Sequence, residues 1–204
     1  QDVFWEERGA YTGEVSVEEL KSVGVKYVIV GHSERRALGE TDEVVSKKVE
    51  AVLSEGLMAV LCVGEKREVR DKGVLEAREF VAKQIDQGLE SLKDSEFKSL
   101  KDSQLVIAYE PVWAISTSKS GADETPEDAG DMIGFIKGVI GDMDSRTSGN
   151  DMVVLYGGSV NSGNVEGFLS QTHVDGVLVG GASLKPEEFG KIVEIAKKSD
   201  NKFR

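Results

Sequence analysis

Five short apolar runs punctuate the chain: Tyr27 to Val30, Met58 to Val63, Leu105 to Tyr109, Met152 to Tyr156 and Val174 to Val179. Each is too short for a helix and too continuously apolar for a strand with one wet face, which predicts parallel strands buried on both faces. Between them the period changes. Val45, Val49, Val52 and Leu53 stand at i, i+4, i+7 and i+8, and Met132, Phe135, Ile136, Val139 and Ile140 repeat such a stripe, so both segments predict helices with one face on a sheet. Val81, Ile85, Leu89 and Leu92 predict a longer, more charged helix, and Leu184 to Lys198 a final one. Two helix starts are marked independently. Ser16-Val17-Glu18-Glu19 has the form of a capping box, and Thr125-Pro126-Glu127 sets a capping hydroxyl before a proline at the first helical position.

Strand and helix alternate throughout, so the class is α/β, either an open doubly wound sheet or a closed barrel. Polar and glycine-rich residues follow every strand: Gly31-His32-Ser33, Gly64-Glu65, Glu110-Pro111, Gly157-Gly158-Ser159 and Gly180-Gly181. In a barrel those ends gather on one rim, which favours the barrel. A length of 204 residues suits a single domain, 1–204. Leu92-Lys93-Asp94-Ser95 and its echo Leu100-Lys101-Asp102-Ser103 read as a solvated helix and linker.

The net charge of −12 argues against nucleic acid or an anionic membrane as partner, so an anionic ligand must be held by local donors. The 23 glycines are scattered, which excludes a collagen-like repeat. The single cysteine, Cys62, cannot form an internal disulfide, so a cytoplasmic location is expected. Cys62 lies within an apolar run as a small hydrophobe, and no Cys/His spacing suggests a metal.

Glu110 stands where a buried strand ends, and lost solvation there raises a carboxylate's proton affinity. It is a candidate general base, or else a rim glutamate paired with a cation. His32, at the end of another apolar run, could polarise a carbonyl or serve structurally. His173 carries no such argument, and Trp113 could pack as core or anchor a loop. Gly157-Gly158-Ser159 and Gly180-Gly181-Ala182-Ser183 could cradle phosphate through backbone N–H groups. Without a nucleotide-loop pattern they favour a small phosphate monoester.

The stretches Gly9-Ala10-Tyr11-Thr12-Gly13-Glu14, Val28-Ile29-Val30-Gly31-His32-Ser33-Glu34-Arg35-Arg36, Leu61-Cys62-Val63-Gly64-Glu65, Ala108-Tyr109-Glu110-Pro111-Val112-Trp113-Ala114-Ile115, Tyr156-Gly157-Gly158-Ser159-Val160 and Gly176-Val177-Leu178-Val179-Gly180-Gly181-Ala182-Ser183-Leu184 together closely resemble the triosephosphate isomerase family. The resemblance implies a (β/α)8 barrel, here incomplete at the N-terminus with about five of eight strands, of which 1–204 is the C-terminal part. It implies interconversion of dihydroxyacetone phosphate and glyceraldehyde 3-phosphate through an enediolate, in glycolysis and gluconeogenesis, without cofactor or metal. Glu110 would carry the proton between the two carbons and His32 would be a neutral electrophile, roles for which this family is a standard illustration. Ser116, Ser159, Gly180 and Gly181 would hold the phosphate, and Pro111 to about Ser120 would form a lid that excludes water. Gly9 to Glu14 would dock into a second subunit of a homodimer.

Two departures stand out. No Asn-x-Lys motif, which in the family places a lysine beside the substrate, occurs in the chain, and Lys202 in the polar tail does not replace it. Glu34, resembling the carboxylate that contacts that lysine, is expected to be unpaired. Where the family lid reads Ala-Ile-Gly-Thr-Gly-Lys, the chain reads Ala114-Ile115-Ser116-Thr117-Ser118-Lys119, followed by Ser120-Gly121-Ala122-Asp123-Glu124. Asp123 and Glu124 would repel a phosphate, so both are expected to face solvent. Other readings are another phosphate-binding barrel enzyme, such as an aldolase, which needs a rim lysine or metal, and a catalytically inactive fragment.

Overall fold

The computed structural model describes residues 1–92, 104–115, 124–143 and 152–200. They group into two compact units, Gln1–Val63 with Ala82–Ile107 and Gly64–Val81 with Ala108–Arg204. Strands β1 (Tyr27–Val30), β2 (Met58–Val63), β3 (Leu105–Tyr109), β4 (Val153–Tyr156) and β5 (Gly176–Val177) lie in chain order in the sheet.

In the first unit β1 and β2 pair in parallel, from Tyr27 opposite Met58 to Val30 opposite Leu61. A parallel pair needs a helical crossover, and it is made by α3 (Asp42–Ser54), after α1 (Val17–Ser22) and the short α2 (Ser33–Ala37). The apolar stripe of α3 is buried as its spacing predicts: Val45, Val49 and Val52 are fully buried and Leu53 nearly so. The Ser16 hydroxyl accepts from the Glu19 N–H at 3.2 Å while the Glu19 carboxylate accepts from the Ser16 N–H at 2.8 Å, completing the expected capping box.

The second unit carries α4 (Arg67–Arg70), the end of β3, α6 (Pro126–Met143), β4, α7 (Val165–Leu169), β5, a 3-10 turn (Gly181–Leu184) and α8 (Pro186–Asp200). Helix α5 (Val74–Gly88), like β3, passes from one unit to the other. β4 and β5 pair in parallel, Leu155 opposite Gly176 and Tyr156 opposite Val177. Thr125 caps α6 as expected, its hydroxyl 3.1 Å from the Asp128 N–H, with Pro126 as the first helical residue. The core stripe of α6 is Met132, Ile133, Ile136 and Ile140. Phe135 and Val139 are only half-buried, and the Arg78 guanidinium lies 5.3 Å from the Phe135 ring.

Several expectations need correction. β2 from Ala59 and all of β3 are buried at every position, but in β1 and β4 only alternate residues are buried and both residues of β5 are half-buried, Tyr27 being 52% exposed. β1 and β5 end the strand order, so fewer neighbours cover them. β5 is also shorter than Val174 to Val179, and α5 stops at Gly88, before Leu92. The short helices α2, α4 and α7 went unpredicted because four or five residues are too few to show a stripe. The Lys93-to-Ser103 part of the echo lies outside the described residues.

One residue on α3 breaks the apolar rule. Lys48 is 2% exposed, and its ammonium meets the Asp2 carboxylate at 2.8 and 2.9 Å and also Glu40. A buried cation is tolerable only when paired in this way. Lys48→Met leaves the two carboxylates with only the half-exposed Arg35 between them and is expected to cost about 3 kcal/mol. Lys21→Met, which breaks a half-exposed pair with Glu55, is expected to cost less than about 1 kcal/mol. Urea midpoints of the two variants measure the contrast.

Candidate active site

Glu110 follows β3 directly and is 3% exposed, as its position after a buried strand predicts. Two glycines make room for it. A β-carbon at Gly64 would lie 1.8 Å from the Glu110 carbonyl oxygen, and one at Gly157 would lie 2.9 Å from Glu110 Cγ. Neither residue can be larger without moving Glu110. The Gly157 N–H donates to the Tyr109 carbonyl at 2.8 Å, so the end of β4 is tied beside the end of β3. Gly157, which the sequence offers as part of a phosphate cradle, thus also packs against the candidate base.

The residues after Glu110 are held by a second carboxylate. Glu65 is fully buried, and its carbonyl accepts from the Val112 N–H at 3.1 Å. Its side chain accepts from the Trp113 indole N–H at 2.9 Å and from the Tyr109 hydroxyl at 3.2 Å. Trp113 is therefore both core and anchor. Burial pushes the Glu65 carboxyl up, opposed first by the Trp113 hydrogen bond. Burial and then the Glu65 charge push the Tyr109 phenol well above its ordinary range.

Glu124 does not face solvent. It is 5% exposed and reaches Arg70, whose guanidinium lies 3.5 Å from Glu124 and 3.8 Å from Glu65 while sitting 5.3 Å from the centre of the Trp113 ring. Arg70, at the end of α4, supplies the countercharge that permits burial. Desolvation raises Glu124 to about 8, against the pull of Arg70 and with the help of Glu65 and Asp128. This cluster was legible only in part: the argument made for Glu110, a carboxylate after a buried strand, applies equally to Glu65, but nothing in the spacing connects either to Arg70 or Glu124. Asp123 and the lid positions Ser116, Ser118 and Lys119 lie outside the described residues.

His32 and Glu34 belong to the first unit, whereas Glu110, Ser159, Gly180 and Gly181 belong to the second. His32 is the N-cap of α2, and its Nδ1 accepts from the Glu34 N–H at 3.3 Å. That bond requires a lone pair on Nδ1, which leaves the imidazole proton on Nε2. Glu34 is exposed, and its carboxylate makes no ion pair among the described residues. Lys202 lies outside them. Ser159 is half-buried, its N–H donating to the Ala114 carbonyl at 3.3 Å and its own carbonyl held by the Asn164 amide at 2.9 Å. Gly180 and Gly181 are exposed at the start of the 3-10 turn, where the first N–H groups point away from the turn. Cys62 is buried and His173 is exposed. Among the described residues, no cluster of His, Cys, Asp or Glu could hold a metal, and no helix is long and apolar enough to cross a membrane.

The raised Glu124 has a sign that can be tested. Between its unfolded value near 4.5 and about 8, the folded chain holds a proton that the unfolded chain has released, so stability falls as pH rises through this window. The fall is expected to be on the order of a few kcal/mol from pH 5 to pH 9. Glu124→Gln, which carries no titrating proton, should flatten much of it; denaturant midpoints across that range give the comparison.

The sequence of the triosephosphate isomerase family matches residues 1–196. A triosephosphate isomerase from Dictyoglomus thermophilum is 46% identical over 195 residues, covering 95% of this chain and 74% of the relative. With a parallel sheet of five strands alternating with helices, a buried glutamate after β3 and a histidine after β1, the chain belongs to the triosephosphate isomerase family.

Proposed function

We propose that the protein interconverts dihydroxyacetone phosphate and glyceraldehyde 3-phosphate, as an aldose–ketose isomerase of glycolysis and gluconeogenesis. The observation that carries this is the burial of Glu110 against Gly64 and Gly157 at the end of β3, in a chain of this family. The Glu110 carboxylate takes the proton from the carbon next to the carbonyl, which leaves an enediolate, and returns it to the neighbouring carbon. His32, with its proton on Nε2, donates to the substrate oxygen where negative charge develops and carries the proton that must pass from the hydroxyl oxygen to the former carbonyl oxygen, so that carbonyl and hydroxyl exchange places. Backbone N–H groups of Gly180 and Gly181 hold the phosphate with those of Ser116 and Ser159; the Ser159 N–H must exchange its bond to Ala114 to do so.

No cofactor or metal takes part in this scheme, and its partners are a small phosphorylated triose and a second copy of the chain, with neither nucleic acid nor membrane. Residues 1–204 act as one domain, the C-terminal part of the barrel, in the cytoplasm. The homodimer uses Gly9 to Glu14, where Tyr11 stands 43% exposed with its ring 4.5 Å from that of Phe4.

A second reading, that the 204 residues by themselves are inactive, is favoured by the absence of any Asn-x-Lys motif, which leaves Glu34 without the lysine it would contact. The two readings separate in one assay. Joined to a segment of about 50 residues bearing Asn-x-Lys, the shortfall against a ~250-residue barrel, the chain is expected to isomerise; alone, it is expected not to. Activity of the chain alone would remove the second reading. In the active form, Glu110→Gln is expected to lower turnover by ~10²- to 10⁴-fold; turnover near that of the parent would remove Glu110 as the base.

A further inference from the structure

The ladder between β1 and β2 ends where Val30 faces Leu61. The next residue, Gly31, enters the left-handed region at φ +70°, and both its polar backbone atoms turn to side chains. Its N–H donates to Glu40 Oε1 at 3.2 Å, and its carbonyl accepts from Arg36 Nε at 2.6 Å. The space around it is closed: a β-carbon there would meet Arg36 Nη2 at 3.0 Å, Val45 Cγ1 at 3.1 Å and the Cys62 carbonyl oxygen at 3.2 Å.

Both clamping side chains are themselves held. Arg36 pairs with Asp42 through Nη1 and reaches the Cys62 carbonyl through Nη2. The other Glu40 oxygen faces Lys48 and Arg35. The Glu40 and Lys48 side chains are 3% and 2% exposed, so water cannot readily replace either partner. Charge-assisted hydrogen bonds of this kind are about twice as strong as neutral ones. The Gly31 carbonyl carbon is bonded to the His32 nitrogen, so the clamp fixes the peptide from which His32, the N-cap of α2, starts.

We propose that Arg36 and Glu40 are positioning residues for His32, acting through the Gly31 peptide to hold the imidazole with its Nε2 proton aimed at substrate. The proposal rests on the isomerase reading of His32. Neither residue touches substrate in this scheme. Their effect is orientation, and a misplacement of about 1 Å in a reacting group can cost ~10²-fold in rate.

The test uses two readouts. The chain has only two histidines, so imidazole 15N shifts, with His173→Asn as the assignment reference, report the His32 tautomer separately from any activity. Arg36→Lys keeps a cation near Asp42 but has no Nε to offer Gly31, and Glu40→Gln keeps an acceptor but removes the charge facing Lys48. Both are expected to move the His32 shifts from a fixed Nε2–H form toward tautomer-averaged values. In the isomerase assay of the lysine-bearing form they should lower kcat by about 10- to 100-fold while KM stays within about twofold. Val49→Ala, in the core of α3, should lower the melting temperature and leave the His32 shifts and kcat alone. Unchanged His32 shifts in both variants, or an equal change in Val49→Ala, would overturn the proposal. Absence of isomerase activity in the parent overturns the functional reading instead, and the 15N shifts still decide whether the clamp holds His32.

Discussion

Burying a carboxylate at the end of a parallel strand is the constraint around which the second unit is arranged. Glu110 emerges from β3, buried along its whole length, and reaches its place because Gly64 and Gly157 have no β-carbon to occupy it. The Gly157 N–H bonded to the Tyr109 carbonyl then sets where the next strand ends. A base that abstracts a carbon-bound proton gains from such a setting, because fixed neighbours limit its movement.

Each unit also holds a buried set of charges that locks a loop after a strand. In the first unit, Arg36 with Asp42 and Glu40 with Lys48 fix the peptide ahead of His32. In the second, Glu65 gathers Val112, Trp113 and Tyr109, while Arg70 stands near both Glu65 and Glu124. Ion pairs at such depth contribute little net stability because desolvation offsets attraction, but an unmatched partner is costly, so they act mainly as geometric constraints. That suits loops that must hold a side chain in place with few apolar contacts.

The two sets differ in charge balance. Around Glu40, Asp2 and Asp42, the cations Lys48, Arg35 and Arg36 match the carboxylates one for one. Around Arg70, one guanidinium serves Glu65 and Glu124, with Asp128 at 3.9 Å. Burial above all, helped by the charges of Glu65 and Asp128 and opposed by Arg70, raises Glu124 to about 8.

The strands, the long helices and their caps were legible in the chain because they rest on local periodicity and on hydrogen bonds spanning three or four residues, as at Ser16 with Glu19 and Thr125 with Asp128. The candidate base and electrophile were legible too, since Glu110 and His32 adjoin strands whose burial the apolar runs announce. Tertiary structure alone decided the rest. The pairing of Lys48 with Asp2 spans 46 residues, and that of Arg70 with Glu124 spans 54. No period links such positions, and each of these charged residues taken singly reads as surface. Only when the chain has folded do their side chains meet where water is excluded, and there the energy of an unpaired charge, negligible along an open chain, dictates which partners must coincide.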